Sequence, residues 1–257
     1  FQWCSGLTSV TIPEGVTTIW NHAFSECTGL TEVTIPEGVT QIRKATFYKC
    51  TGLTEITIPE GVTYVGAGAF QGCRGLTSVA IPDGVTHIGE RAFITCSGLT
   101  EIAIPKGVFH IGDRTFEACS SLTEIAIPEG VTRIGDGAFQ GCTGLTEITI
   151  PEGVADIGTY AFGMCINLKR VLVNSSTHLG KETFYGCPSL NTIIVLKNSE
   201  PILAGKMFHP DDPANDYALT LQDHPNLKIV AVVDEKKEDL SELTEFPTTL
   251  VLRHHID

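Results

Sequence analysis

Apolar and polar residues recur along this chain in one fixed order. In Cys119–Gly141, CSSLTEIAIPEGVTRIGDGAFQG, Leu122, Ile125 and Ile127 are predicted to point inward from a short strand, Ile125 and Ile127 on one face of it. Glu124 and Ala126 fall on the other, as a period of two requires. Pro128 has no N–H for a ladder and so belongs at the strand's end, and Gly130 supplies a turn. Val131 and Ile134 mark a second β-branched segment, predicted as a short strand or extended run on the opposite side. Gly135 turns the chain again, and Ala138 and Phe139 return to the core. The order then restarts. Cys4, Cys27, Cys50, Cys73, Cys96, Cys119, Cys142 and Cys165 stand 23 residues apart, and Cys187 follows after 22. A period in the low twenties marks a solenoid, in which each coil buries its apolar face only against its neighbours.

The 257 residues are therefore read as one elongated array. Residues 1–195 are repeats of 23, and 196–257 are degenerate last coils and a C-terminal cap. The pattern loosens after Cys165: Asn174 replaces the repeat proline and one residue is lost before Leu179. Leu190, Ile193 and Val195 keep the first strand. Further on, Ala214–Gln222 and the charged Asp234–Leu243 read as helices, Leu227, Val230 and Val232 as the strand of a last coil, and Thr249–Leu252 as a final strand. A more polar, irregular end is what a cap requires. Phe1 stands 23 residues before Phe24, so the chain opens inside a coil and reads as a piece of a longer protein.

The L-x-x-[VI]-x-I strand, the following I-P-x-G-V-x-x-I-G and the closing A-F-x-x-C resemble the BspA-type, or Treponema pallidum-type, leucine-rich repeat. That resemblance covers about residues 1–195. It implies a leucine-rich-repeat solenoid: a β-rich, curved, right-handed superhelix with a parallel strand ladder on its concave face and a second short strand per coil. It further implies a protein-binding, non-enzymatic module, secreted or on the cell surface, acting as an adhesin or as an effector delivered into a host cell. The implied partner is a protein, such as a host protein with a basic surface. The alternative is a structural spacer that presents another domain. No cofactor is implied.

Composition narrows the partners. With 17 Lys and Arg against 30 Asp and Glu, the formal charge of −13 argues against nucleic acid and against an anionic membrane surface. No run approaches the roughly 18 apolar residues of a membrane-spanning helix. The nine cysteines take equivalent places in successive coils, so they should form one buried column of reduced thiols. Disulfide pairing along the column is within reach of stacked coils but leaves an odd member, and no CxxC pair or interleaved His supports a metal. The glycine-rich GAGAFQG and GDGAFQG are repeat turns without a GK[ST] ending, and no G-x-S-x-G or HExxH is present.

In a solenoid each repeat position becomes a surface row, so function is sought in rows. The outward position of the first strand holds Ser9, Glu32, Glu55, Ser78, Glu101, Glu124, Glu147, Arg170 and Thr192. At a strand spacing of about 4.8 Å, adjacent carboxylates repel by roughly 0.8 kcal/mol even in water. A second acidic row, Glu14, Glu37, Glu60, Asp83, Glu129 and Glu152, follows each proline and is interrupted by Lys106. Two readings stand: a face kept soluble by charge, or a docking surface for a basic partner. A third row varies more: Thr18, Gln41, Tyr64, His87, His110, Arg133 and Asp156, with Phe109 beside His110 where other coils mostly have Thr. Tyr64, His87, Phe109, His110 and Arg133 have the composition of a binding hot spot, against the alternative of drift at exposed sites. His87 and His110 alone make only two metal ligands. Asn174-Ser175-Ser176 is a glycosylation sequon.

Overall fold

Twenty-three residues close a coil with three hydrogen-bonded sides, each dictated by a different part of the repeat. The computed structural model describes residues 1–174 and 176–196, together with the backbone of the strands Lys228–Val232 and Val251–Arg253. Over those residues it is a solenoid of short parallel strands, without a helix.

The first side carries the strands Ser9–Thr11, Glu32–Thr34, Ser78–Val79, Glu101–Ile102, Glu147–Thr149, Arg170–Asn174 and Thr192–Leu196. Pairing is in register, each residue opposite its equivalent one coil on: Ser9 with Glu32, Glu147 with Arg170, Arg170 with Thr192. The last sheet continues through Lys228–Val232 to Val251–Arg253, where strands were expected around Val230 and Leu252. The helices predicted over 214–222 and 234–243 lie outside the described residues. Two expected strands do not form: Leu53–Ile58 keeps only an isolated bridge at Thr57, and Leu122–Ile127 is irregular, with Ile125 only partly buried. Ser121 stands there in place of the glycine found in most coils. A Cβ at the equivalent Gly98 would sit 2.5 Å from the Arg74 carbonyl oxygen, and at Gly75 2.6 Å from that of Thr51, so a side chain at this place pushes against the preceding coil.

The second side is the other β-branched segment. Gln41–Ile42, Tyr64–Val65 and His87–Ile88 make a three-stranded sheet, and His110–Ile111, Arg133–Ile134, Asp156–Ile157 and His178–Leu179 a four-stranded one. The glycine after each strand from Tyr64–Val65 onward permits this approach: a Cβ on Gly66 would lie 2.6 Å from the Lys44 nitrogen, and on Gly89 2.5 Å from that of Ala67. Trp20 and Arg43 occupy the glycine place in the first two coils, and no pairing joins those coils on this side. Between His87 and His110 the ladder is also interrupted, and the closest approach of a Gly112 Cβ to the preceding coil widens to 3.3 Å.

The third side is formed by the A-F-x-x turns, and its regularity exceeds what the sequence announces. Here N–H groups donate forward, to the next coil: His22 to the Lys44 carbonyl (3.1 Å), Phe24 to Thr46 (2.9 Å), Glu26 to Tyr48 (2.6 Å). The geometry needs a left-handed residue two places before and two places after each phenylalanine. Around Phe93 these are Arg91 and Thr95, both at φ 58°, and around Phe70 they are Gly68 and Gly72. The phenylalanine rings stack behind this ladder, with centroids 5.4 Å apart for Phe116 and Phe139 and 5.2 Å for Phe139 and Phe162.

The cysteine column has a definite hydrogen-bonding task. Each buried thiol donates to the phenylalanine carbonyl of the preceding coil, Cys50 to Phe24 at 3.0 Å and Cys119 to Phe93 at 3.2 Å. That carbonyl also accepts the cysteine N–H of its own coil, Cys27 N to Phe24 O at 3.2 Å. Both lone pairs of a carbonyl with little access to water are thereby used. All nine cysteines are free and eight are buried; Cys4 is exposed. Burial pushes the Cys50, Cys96 and Cys142 thiols up to about 12, and those of Cys73 and Cys119 well above the ordinary range.

Candidate functional site

The second-side strands are only two residues long, and their alternation decides what the surface offers. The second residue of each, Ile42, Val65, Ile88, Ile111, Ile134 or Ile157, is buried in the core. The first is thereby turned outward. Gln41, His87, His110, Arg133 and Asp156 are exposed, and Tyr64 is half-buried because its ring lies flat against that of His87, 4.6 Å between centroids and 5° between planes. Phe109 is 55% exposed, an unusual state for a large apolar ring. It reaches toward the turn of the following coil, where a Cβ on Gly130 would come within 3.8 Å of it. Tyr64, His87, Phe109, His110 and Arg133 thus share one side of four successive coils, with the interruption of the ladder falling between His87 and His110.

The same row runs further than the sequence reading took it. His178 follows Asp156, and its Nδ1 lies 3.7 Å from the Asp156 carboxylate. Beyond the other end, Trp20 is 68% exposed with the Arg43 guanidinium 4.9 Å above its ring. The one-residue deletion before Leu179 masked the first of these, and Trp20 and Arg43 were hidden because they sit in the glycine column rather than the variable one.

Glu32, Glu55, Glu101, Glu124 and Glu147 are all exposed on the first side. The structure aligns them in a row of their own, on a different strand ladder from the ring-bearing row. On the third side, an open groove of about 440 Å³ is bounded by His22, Lys44, Tyr48, Gln71 and Arg91. Its signal lay in one column, where His22 and Arg91 flank Ala45 and Gly68: two small residues between large ones leave a depression. Asn174 of the sequon is 2% exposed, and its Oδ1 accepts from the Ser176 N–H and hydroxyl, so this asparagine serves as the turn that replaces Pro-x-Gly. Among the described residues, no three His, Cys, Asp or Glu side chains converge as metal ligands, and no helix is long and apolar enough to cross a membrane.

Comparison with known proteins agrees with this geometry. The model of the BspA type leucine rich repeat region matches in six copies over residues 1–123 and 109–209. Among curated proteins none matches. Of solved structures, the leucine rich repeat protein of T. pallidum is 36% identical, over 56% of this chain and 68% of that one, with a TM-score of 0.54. A leucine rich cell surface protein of Faecalibacterium prausnitzii is 29% identical, over 88% of this chain, also at 0.54; this chain spans 64% of that protein's length. The pneumococcal vaccine antigen PcpA, at 18% identity over 89% of this chain and 63% of its own with a TM-score of 0.51, shares the fold. The repeat that the family model matches is the one whose coil has just been accounted for, and the chain belongs to the BspA-type leucine-rich repeat family.

Proposed function

We propose that this chain is a non-catalytic scaffold that binds a protein partner through the second-side row, with Tyr64, His87, Phe109, His110 and Arg133 as its anchors. One observation carries the reading. On the two strand-bearing sides the apolar and turn columns are nearly constant because stacking dictates them, whereas this outward column differs in most coils and collects rings and a guanidinium. Aromatic and arginine side chains presented on a rigid strand lose little entropy on binding and dominate interface energetics. The glutamates Glu32, Glu55, Glu101, Glu124 and Glu147 act beside them by steering a partner with a basic surface, mainly through association rate and salt dependence.

The likeness to a bacterial cell surface protein supports a secreted or surface location and a role in host or cell interaction, as an adhesin or a delivered effector. The test is affinity capture from a host-cell extract, with the intact chain compared against a variant carrying Tyr64→Ala, His87→Ala, Phe109→Ala, His110→Ala and Arg133→Ala. All five are exposed or half-buried, so the coil should persist, as circular dichroism would verify. The reading expects proteins retained by the parent to be lost by the variant. Equal retention by both would overturn it.

A further inference from the structure

Three junctions between coils on the first side have neither strand pairing nor an isolated bridge, and these are the three where glutamate meets glutamate. Ser9 pairs with Glu32, Ser78 with Glu101, Glu147 with Arg170 and Arg170 with Thr192. Between the coils of Glu55 and Ser78 a bridge forms at Thr57 and Ala80. None joins Glu32 to Glu55, Glu101 to Glu124, or Glu124 to Glu147.

The threonine before each of these positions reports the same division independently. Thr31, Thr77 and Thr100 donate their N–H to the threonine carbonyl one coil back, at 2.9, 3.0 and 3.0 Å. Their hydroxyls donate to the same oxygens at 3.0, 3.2 and 3.1 Å. Thr54, Thr123 and Thr146, which precede the second glutamate of each like-charged junction, make neither bond. The coils still touch close by, with Gly52 N–H on the Thr28 carbonyl at 3.0 Å and the Thr143 hydroxyl on that of Ser120 at 3.3 Å. The opening is therefore local to the glutamate strand. The flanking Thr or Ala column does not sort with it, because Thr11–Thr34 is a paired junction and Thr34–Thr57 an open one. Ser121 bears on the Glu101–Glu124 junction, but Gly52 and Gly144 stand at the equivalent place of the other two.

We propose that the glutamate pairs are electrostatic latches: carboxylate repulsion holds three junctions of the first side unzipped, and neutralising the charge closes them into a continuous ladder. Like charges directly opposite on paired strands oppose pairing, and here they repeat at the strand spacing with both members exposed. Glu124 has a glutamate on each side, Glu101 and Glu147. The other charges on this face near it are Lys106 and Glu129 on the Pro-x-Gly turns and Arg170 beyond Glu147. The face thereby responds mechanically to whatever neutralises it.

Amide hydrogen exchange on the full chain tests this. In the parent, Thr54, Thr123 and Thr146 should exchange faster than Thr31, Thr77 and Thr100. Glu124→Gln should raise protection at Thr123 and Thr146 on the order of tenfold and leave Thr54 unchanged. Salt at about 1 M, where the screening length is about 3 Å, should protect all three in the parent. Unaltered exchange at Thr123 and Thr146 in Glu124→Gln would overturn the proposal. So would protection of both by Ser121→Gly alone, since relief of backbone crowding would then be the cause.

Discussion

The buried thiol column makes the fold sensitive to alkali. Burial raises Cys50, Cys96 and Cys142 to about 12, against an ordinary thiol value of 9.0. Below about pH 9 the thiols are neutral in both the folded and the unfolded chain, and their contribution to stability is intact. Above it the unfolded chain loses protons that the fold keeps, so stability falls with rising pH until the folded thiols themselves ionise near pH 12. Each such thiol contributes up to about 1.4 kcal/mol per pH unit once the unfolded thiol is fully ionised, and about 1 kcal/mol between pH 9 and pH 10 where it passes from half to nearly full ionisation, so the three together remove about 3 kcal/mol over that unit. Cys27, Cys73 and Cys119, also raised by burial, act in the same direction. The assay is urea unfolding followed by circular dichroism at pH 7, 8, 9 and 10. Tyrosine and lysine titrate in the same range, so the comparison is with a Cys96→Ala, Cys142→Ala variant, which keeps those groups. It should lose about 2 kcal/mol of the alkaline fall between pH 9 and pH 10. An identical slope in parent and variant, or a midpoint that does not move between pH 8 and pH 10, would mean that the buried thiols do not set the alkaline limit.

Three further outcomes follow from the coil. Thr95 is a β-branched residue held at φ 58° where other coils have Gly72, Gly141 and Gly186, so Thr95→Gly should stabilise the chain by about 1 kcal/mol, read as a higher melting temperature. Gly135→Ala should destabilise by about 1–3 kcal/mol, because its Cβ would stand 2.7 Å from the Asp113 nitrogen and 2.8 Å from the Gly112 carbonyl carbon, which are backbone and cannot swing aside. Phe139→Ala, removing a fully buried ring stacked between Phe116 and Phe162, should cost about 3–5 kcal/mol in the same urea assay.

The sequence exposes the repeat because stacking repeats its demands. Leu122, Val131, Ile134 and Phe139 had to be apolar in every coil, and Pro128 and Gly130 had to punctuate it, so the solenoid and its two strand segments could be read directly. Two features escaped that reading for physical reasons. The third hydrogen-bonded side depends on left-handed backbone at positions such as Arg91, Thr95, Tyr160 and Met164, residues that carry no preference for that conformation. Only the occasional glycine at the same place hints at it. The failure of Leu122–Ile127 to pair is likewise invisible to a period-two pattern, since the pattern is intact there. What differs is Ser121 and the charge on the neighbouring coils, both interactions between residues 23 apart. The outward row was legible as variation, but Trp20, Arg43 and His178 joined it only once the coils were stacked.

If a partner is held by the variable row rather than by the constant positions of the repeat, its dissociation constant should respond to the rings and guanidinium of that row. Phe109→Ala with Arg133→Ala, compared with Glu101→Gln with Glu147→Gln, separates anchors from steering charges. The first pair should lower affinity about tenfold or more, by faster dissociation. The second should cause a smaller loss, confined to association rate and diminishing with salt. Unchanged affinity after Phe109→Ala and Arg133→Ala would mean that the row does not hold the partner.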